Sequence, residues 1–237
     1  MTASICFLFF GFYAVFFNLE EWAAAEGIGY KDNVDPNGSD RIHDSAVRTF
    51  YLLAIMNGSS TVGRLSSSYL CDHFGALNVH AVVTFISAVL TLVLWSLATS
   101  VPAAIAFVVI FGVFSGAVIG LPPASMAYLL GPNPEAQARL GQWTGMMYSA
   151  AGIFALTGPV IAGHLISEFG NNFLTVQLWS GACMLLSSAC MGVAIIYRHH
   201  DSARGWMSSR TRMLTMSFDS TASAETRKTT QTEKMDV

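Results

Sequence analysis

The sequence predicts an all-α membrane protein, a bundle of six transmembrane helices, and three observations carry that reading. Hydrophobic residues make up 53% of the 237 and charged residues 11%, against about 25% charged in an ordinary soluble domain. Windows of about 20 apolar residues, the length that crosses roughly 30 Å of hydrocarbon, recur about six times along the chain. The few charges are segregated into connections and the C-terminal tail. A soluble bundle would need a polar face on every helix, yet Ala81 to Leu97 offers only threonine and serine.

The first window, 3–25, lacks a positive n-region in Met1 to Ser4 and runs into Glu20 and Glu21. It therefore reads as an intact helix, although Ala23, Ala24 and Ala25 supply the small residues of a signal-peptide cleavage site. Residues 26–47 hold Lys31, Asp32, Asp35, Asp40, Arg41 and Asp44 around the turn Asp35-Pro36-Asn37-Gly38 and form an exposed acidic loop. The second and third spans follow at 48–71 and 78–99.

The fourth span, 102–129, contains Gly112, Gly116 and Gly120, a GxxxGxxxG run that lets a second helix approach backbone to backbone. It then meets Pro122-Pro123, which removes two backbone donors and kinks or breaks the helix. The fifth, 140–166, repeats small residues at Gly141, Gly145, Gly152, Gly158-Pro159 and Gly163. Close packing in a static bundle and bending in a moving one both need such residues. The sixth span, 173–197, is followed by Arg198, Arg204, Arg210 and Arg212. The positive-inside rule then places both termini in the cytoplasm and the acidic loop outside. Residues 198–237 become a disordered cytoplasmic tail, too rich in serine, threonine and charge to bury a core.

Cys6, Cys71, Cys183 and Cys190 lie in or beside apolar windows without a CxxC pair and read as packing residues. No HExxH, GxSxG, Walker or GxGxxG pattern occurs, so nothing in the sequence argues for catalysis, a metal, a cofactor or a nucleic-acid partner. The second span carries the functional signal. Asn57, Ser60, Thr61, Arg64, Ser67 and Ser68 recur at helical spacing, which gathers them on one side of the helix. An arginine in hydrocarbon costs from about 2.5 kcal/mol on insertion scales to about 10 or more in simulations, so it normally faces a bundle interior or a water-filled cavity. The implied task is to bind or move something polar within a membrane.

Asn57-Gly58, Gly63-Arg64, Tyr69-Leu70, Asp72 and Gly75 resemble the eighth helix and following loop of major facilitator superfamily transporters, in particular the fungal monocarboxylate transporter-like branch. FGVFSGAVIGLPP and the Gly141 to Gly163 pattern are similar to that family's tenth and eleventh helices, and GFYAVFFNLEEWAAAEGIG to its seventh. The resemblance covers about residues 5 to 197 and implies the C-terminal six-helix half of a transporter. It makes Arg64 the contact for a substrate carboxylate, with Asn57, Ser60 and Thr61 tuning the site. It makes Gly63, Asp72 and Gly75 the loop motif, from which His73, Ala76 and Leu77 depart. Ser60 stands where the family's animal members carry an acidic residue for proton coupling.

The expectation is thus a secondary transporter of the plasma membrane that moves a small organic anion, such as a monocarboxylate or a secondary metabolite. It would be a truncated product, a fragment or a half-size form that pairs with an N-terminal half or another protomer in the lipid bilayer. The alternative is a membrane scaffold in which Arg64 only binds helix carbonyls or Asp72.

Two glycosylation sequons, at Asn37 and Asn57, act as a ruler for topology. In a secretory-pathway host, any glycan should sit on Asn37 alone. Endoglycosidase should then shift the wild type and leave Asn37→Gln unshifted; an equal shift in both would contradict the topology.

Overall fold

The computed structural model describes residues 1–28, 49–131, 133–169 and 172–198, and every regular element among them is helical. The acidic loop with Asn37 and the C-terminal tail lie outside the described residues. The helices are α1 (Thr2–Ala25), α2 (Phe50–Phe74), α3 (Ala76–Leu94), α4 (Val101–Gly120), α5 (Pro122–Leu130), α6 (Pro134–Ala138), α7 (Leu140–Glu168) and α8 (Leu174–Arg198). The chain divides into two units, Met1–Ala194 and Ile195–Val237; of the second, only the last turn of α8 is described.

Among the described residues five helices, α1, α3, α4, α7 and α8, are long and apolar enough to cross a membrane. At 25 residues α2 is long enough too, about 37 Å by helical rise. Its asparagine, hydroxyl and arginine residues lower its hydropathy. Of the six expected spans, five are matched by helices apolar enough to cross, and α2 matches the second in length but carries a polar column.

The window expected at 102–129 is divided where the prolines fall. Pro122 and Pro123 occupy the first turn of α5, where a missing N–H costs nothing. Leu121 donates to the Ala117 carbonyl at 3.1 Å, and Ser125 donates to the Leu121 carbonyl at 2.8 Å, so backbone hydrogen bonds resume on both sides of the break. The turn from α2 into α3 depends on Gly75, whose φ of 81° disfavours any residue with a Cβ. A Cβ there would also come within 3.0 Å of the Tyr128 ring on α5.

Helix contacts are built by small residues, as they must be where lipid supplies no hydrophobic force between helices. Along α2 and α4 the backbones touch. A Cβ on Gly63 would collide with the Val113 carbonyl, and Cβ atoms on Gly112 and Gly116 would collide with Ser59 and with the Ser60 carbonyl. Between α1 and α7 the same device appears once, at Gly158 against the Phe10 carbonyl; Gly141, Gly145, Gly152 and Gly163 have open space at their Cβ positions. Helices α1 and α8 meet at Gly11, where a Cβ would lie 2.6 Å from the Ser180 carbonyl oxygen. Farther along, Ser4 and Ser187 each donate to the other's backbone carbonyl, at 2.8 and 2.7 Å.

An aromatic cluster ties α1, the end of α3 and α4 together. Trp95, just past α3, stacks on Phe107 at 5.8 Å and meets Trp22 edge-on at 5.8 Å. Phe107 stacks on Phe111, and Phe111 on Phe12. Each such pair contributes about 0.5–1.5 kcal/mol beyond its buried area.

The glycine contacts generate a direct comparison. Gly63→Ala and Gly116→Ala should each destabilise the bundle by about 1–3 kcal/mol, the usual cost of overpacking. Gly152→Ala and Gly163→Ala should be near neutral. Thermal unfolding in detergent, read by fluorescence-detected size exclusion, orders the four; equal midpoints would contradict the backbone contact.

Candidate functional site

Helix α2 is divided lengthwise into three arcs. Leu52, Met56, Ser60, Gly63 and Ser67 are buried, and Met56, Ser60 and Gly63 of that row meet α4. Val62, Leu65 and Tyr69, spaced by three and four, form an exposed apolar arc. Asn57, Thr61, Arg64 and Ser68, spaced by four, three and four, form an exposed polar arc. The six-residue column expected from the sequence is thus split: four of its members stay open, while Ser60 and Ser67 turn into the bundle.

Within the polar arc the neutral groups are largely spent on the helix itself. Asn57 Nδ2 donates to the Leu53 carbonyl at 2.9 Å, and Ser68 Oγ donates to the Arg64 carbonyl at 3.1 Å. Beside the arc, Ser60 and Ser67 back-bond at 2.7 and 2.9 Å. Such folding back is how hydroxyls satisfy themselves in an apolar surround. Arg64 cannot do this, because its guanidinium holds five donors and no acceptor. Among the described residues no hydrogen bond or ion pair reaches its side chain. Its stem lies beside α4, with Cγ 3.9 Å from where a Cβ on Gly120 would stand. Chemically the arc presents one cation whose five N–H donors suit a carboxylate or another anion.

The other residues singled out in the sequence take structural places. Gly63, Gly112 and Gly116 make the α2–α4 contact, and Gly75 ends α2 with a positive φ. Asp72 is exposed one turn before that end. Nearby His73 lies at a tilt against Tyr69, ring centroids 4.6 Å apart, with Nδ1 3.1 Å from the Tyr69 carbonyl. Among the described residues no group of three or more His, Cys, Asp or Glu side chains is placed to hold a metal ion.

A second polar column was overlooked in the sequence. His80, Thr84, Ser87 and Thr91 recur at i, i+4, i+7 and i+11 on α3, and each is fully buried. The signal was the same helical spacing of polar residues that marks α2, set in a window so apolar that threonine and serine passed as filler.

With this geometry in view, the comparisons with known proteins are consistent. The chain is similar to major facilitator transporters. It is 38% identical to the aspyridones efflux protein apdF of Emericella nidulans over 136 residues, 57% of this chain and 27% of that protein. It is 34% identical to the MFS transporter asaE of Aspergillus flavus over 139 residues, 59% of this chain and 30% of that protein. It is 29% identical to a fujikurins efflux protein of Gibberella fujikuroi over 167 residues, 70% and 35% of the two chains. The chain thus spans roughly a third of the length of the curated relatives it matches. No protein-family model and no solved structure matches it. The apolar helices and these relatives together support an integral, multi-pass membrane protein.

Proposed function

We propose that this chain forms the second, six-helix half of an alternating-access secondary transporter of the monocarboxylate transporter-like branch. It would export a small organic anion, a monocarboxylate or a carboxylate-bearing secondary metabolite, across the plasma membrane with both termini in the cytoplasm. The observation that carries this reading is Arg64, an exposed guanidinium with no partner among the described residues, on a helix whose asparagine and serine side chains are satisfied on their own backbone. Relatives named for the efflux of aspyridones and fujikurins support a secondary metabolite as cargo.

In this reading Arg64 grips the carboxylate through two parallel N–H···O bonds, and Asn57 and Thr61 orient the rest of the solute. Ser60 acts through α4, because it lies in the contact at Gly116. The close backbone contact makes α2 and α4 move as one body, and the kink at Pro122-Pro123 gives α5 a separate direction. A complementary wall, from an N-terminal half or another protomer, closes the arc against lipid. A scaffold role would have Arg64 tied to a carbonyl or to Asp72, and among the described residues neither bond is present.

Co-expression with an N-terminal half in transport-deficient cells, at matched expression, tests the proposal. Saturable export of labelled monocarboxylates should appear with both halves and be absent from the reconstituted chain alone. Arg64→Lys should lower it about tenfold or more, because an ammonium cannot reproduce the planar fork. Full flux with lysine would contradict the role of Arg64, and flux from the chain alone would contradict the need for a partner.

A further inference from the structure

Three consecutive residues of α1 fix its neighbours. The Phe10 carbonyl meets Gly158 of α7, Gly11 meets Ser180 of α8, and Phe12 stacks on Phe111 of α4. Phe9 and Tyr13, each two residues from Gly11, therefore lie about 160° round the helix from α8, on the side between α7 and α4. Phe9 meets Tyr13 edge-on, ring centroids 5.3 Å apart, and meets Tyr148 of α7 at a tilt, 6.1 Å apart. Phe9 is buried and both tyrosines are half-buried, so the three rings make an aromatic corner with Tyr13 and Tyr148 as its outer walls.

The corner shares its side of the bundle with the polar arc of α2. Contacts run from α7 to α1, from α1 to α4 through Phe111, and from α4 to α2 through Gly112 and Gly116. Following the right-handed helices round from those contacts brings Asn57, Thr61 and Arg64 out on the same side as Phe9 and Tyr13. Depth agrees as well: Phe12 lies against Phe111 and Met56 meets Gly112 one residue on, which sets Tyr13 level with Asn57. By helical rise Tyr13 stands about 17 Å into α1 and Tyr148 about 12 Å into α7, well inside their spans. Neither phenol oxygen has a hydrogen bond among the described residues. Against hydrocarbon at that depth a phenol O–H goes unsatisfied, whereas phenylalanine fills a lipid-facing position without that cost. Two tyrosines on this side are thus turned to something more polar than lipid.

We propose that Phe9, Tyr13 and Tyr148 form a subsite for the flat ring of an aromatic carboxylate whose anionic end is bound at Arg64. This deepens, and rests on, the reading of Arg64 as the carboxylate contact: it makes the cargo aromatic. Ring edges and faces attract one another through their quadrupoles in the offset and edge-on arrangements that these three side chains already adopt, and a saturated ring of the same size has no quadrupole to offer. The phenol O–H groups donate to oxygen on the solute or to water that accompanies it.

Saturation-transfer NMR on the full chain in lipid nanodiscs, with empty nanodiscs as the blank, tests this with 2-naphthoate and its saturated counterpart decahydro-2-naphthoate. The aromatic acid should bind about fivefold or more tightly, the size of effect that one or two ring contacts supply. Tyr13→Leu and Tyr148→Leu should each lose part of that preference and together abolish it, while Tyr13→Phe and Tyr148→Phe, which keep the rings, should retain it. Arg64→Gln should weaken both acids by the same factor and leave the preference intact. Equal dissociation constants for the two acids, no binding of 2-naphthoate, or a preference that survives the double leucine variant would overturn the subsite. A preference that holds while Arg64→Gln changes neither constant supports the ring subsite and overturns only the reading of Arg64.

Discussion

Gly63 on α2 and Gly112 and Gly116 on α4 bring two backbones into direct contact, and the arrangement of the candidate site follows from that contact. Because lipid tails are as apolar as leucine, helices in a bilayer gain no solvent-driven attraction and must find close van der Waals approach. Once those glycines set which side of α2 meets α4, the helical period decides everything else on it. Ser60 and Ser67 turn inward, Val62, Leu65 and Tyr69 form the apolar arc, and Asn57, Thr61, Arg64 and Ser68 are left open. A side chain larger than hydrogen at Gly63 or Gly116 would push the helices apart and change the direction in which Arg64 points.

The second constraint is that polar groups in hydrocarbon must be satisfied internally. Most hydroxyls here comply locally: Ser59, Ser66, Ser67, Ser68 and Thr157 all donate to carbonyls three or four residues back. Others comply across helices, as Ser4 does with Ser187 and Ser188 with Ala81. The exceptions differ in kind: Arg64 is exposed and charged, which suits a solute or a second wall, whereas His80 Nε2, Thr84 Oγ1, Ser87 Oγ, Trp95 Nε1, Thr144 Oγ1 and Ser180 Oγ are buried.

Much of the architecture was legible in the residues because hydrocarbon imposes a simple rule on length and composition. The apolar windows predicted helices to within a few residues, and Pro122-Pro123 predicted the interruption between α4 and α5. The glycine run of α4 was readable as a contact surface, since no other residue permits such approach. Its partner was not, because nothing in the order GxxxGxxxG names α2. The same limit explains α7, where five glycines looked alike and only Gly158 meets a backbone. Within α2, periodicity alone could gather Ser60 with Arg64, but only the position of α4 separates them. The α3 column went unread for a related reason: a buried serine and a lipid-facing serine look identical until the neighbouring helix is known.

The account stands on Arg64 facing water inside the membrane and not lipid. With Cys6, Cys71, Cys183 and Cys190 replaced, single cysteines at positions 60, 64 and 65 sample the buried, polar and apolar arcs of α2 in turn. Labelling by a membrane-impermeant thiol reagent, in membranes that hold the assembled transporter, should reach position 64 and spare 60 and 65. Labelling at none of the three would place position 64 against lipid and contradict the account, and equal labelling at 64 and 65 would contradict the division of α2 into a polar and an apolar arc.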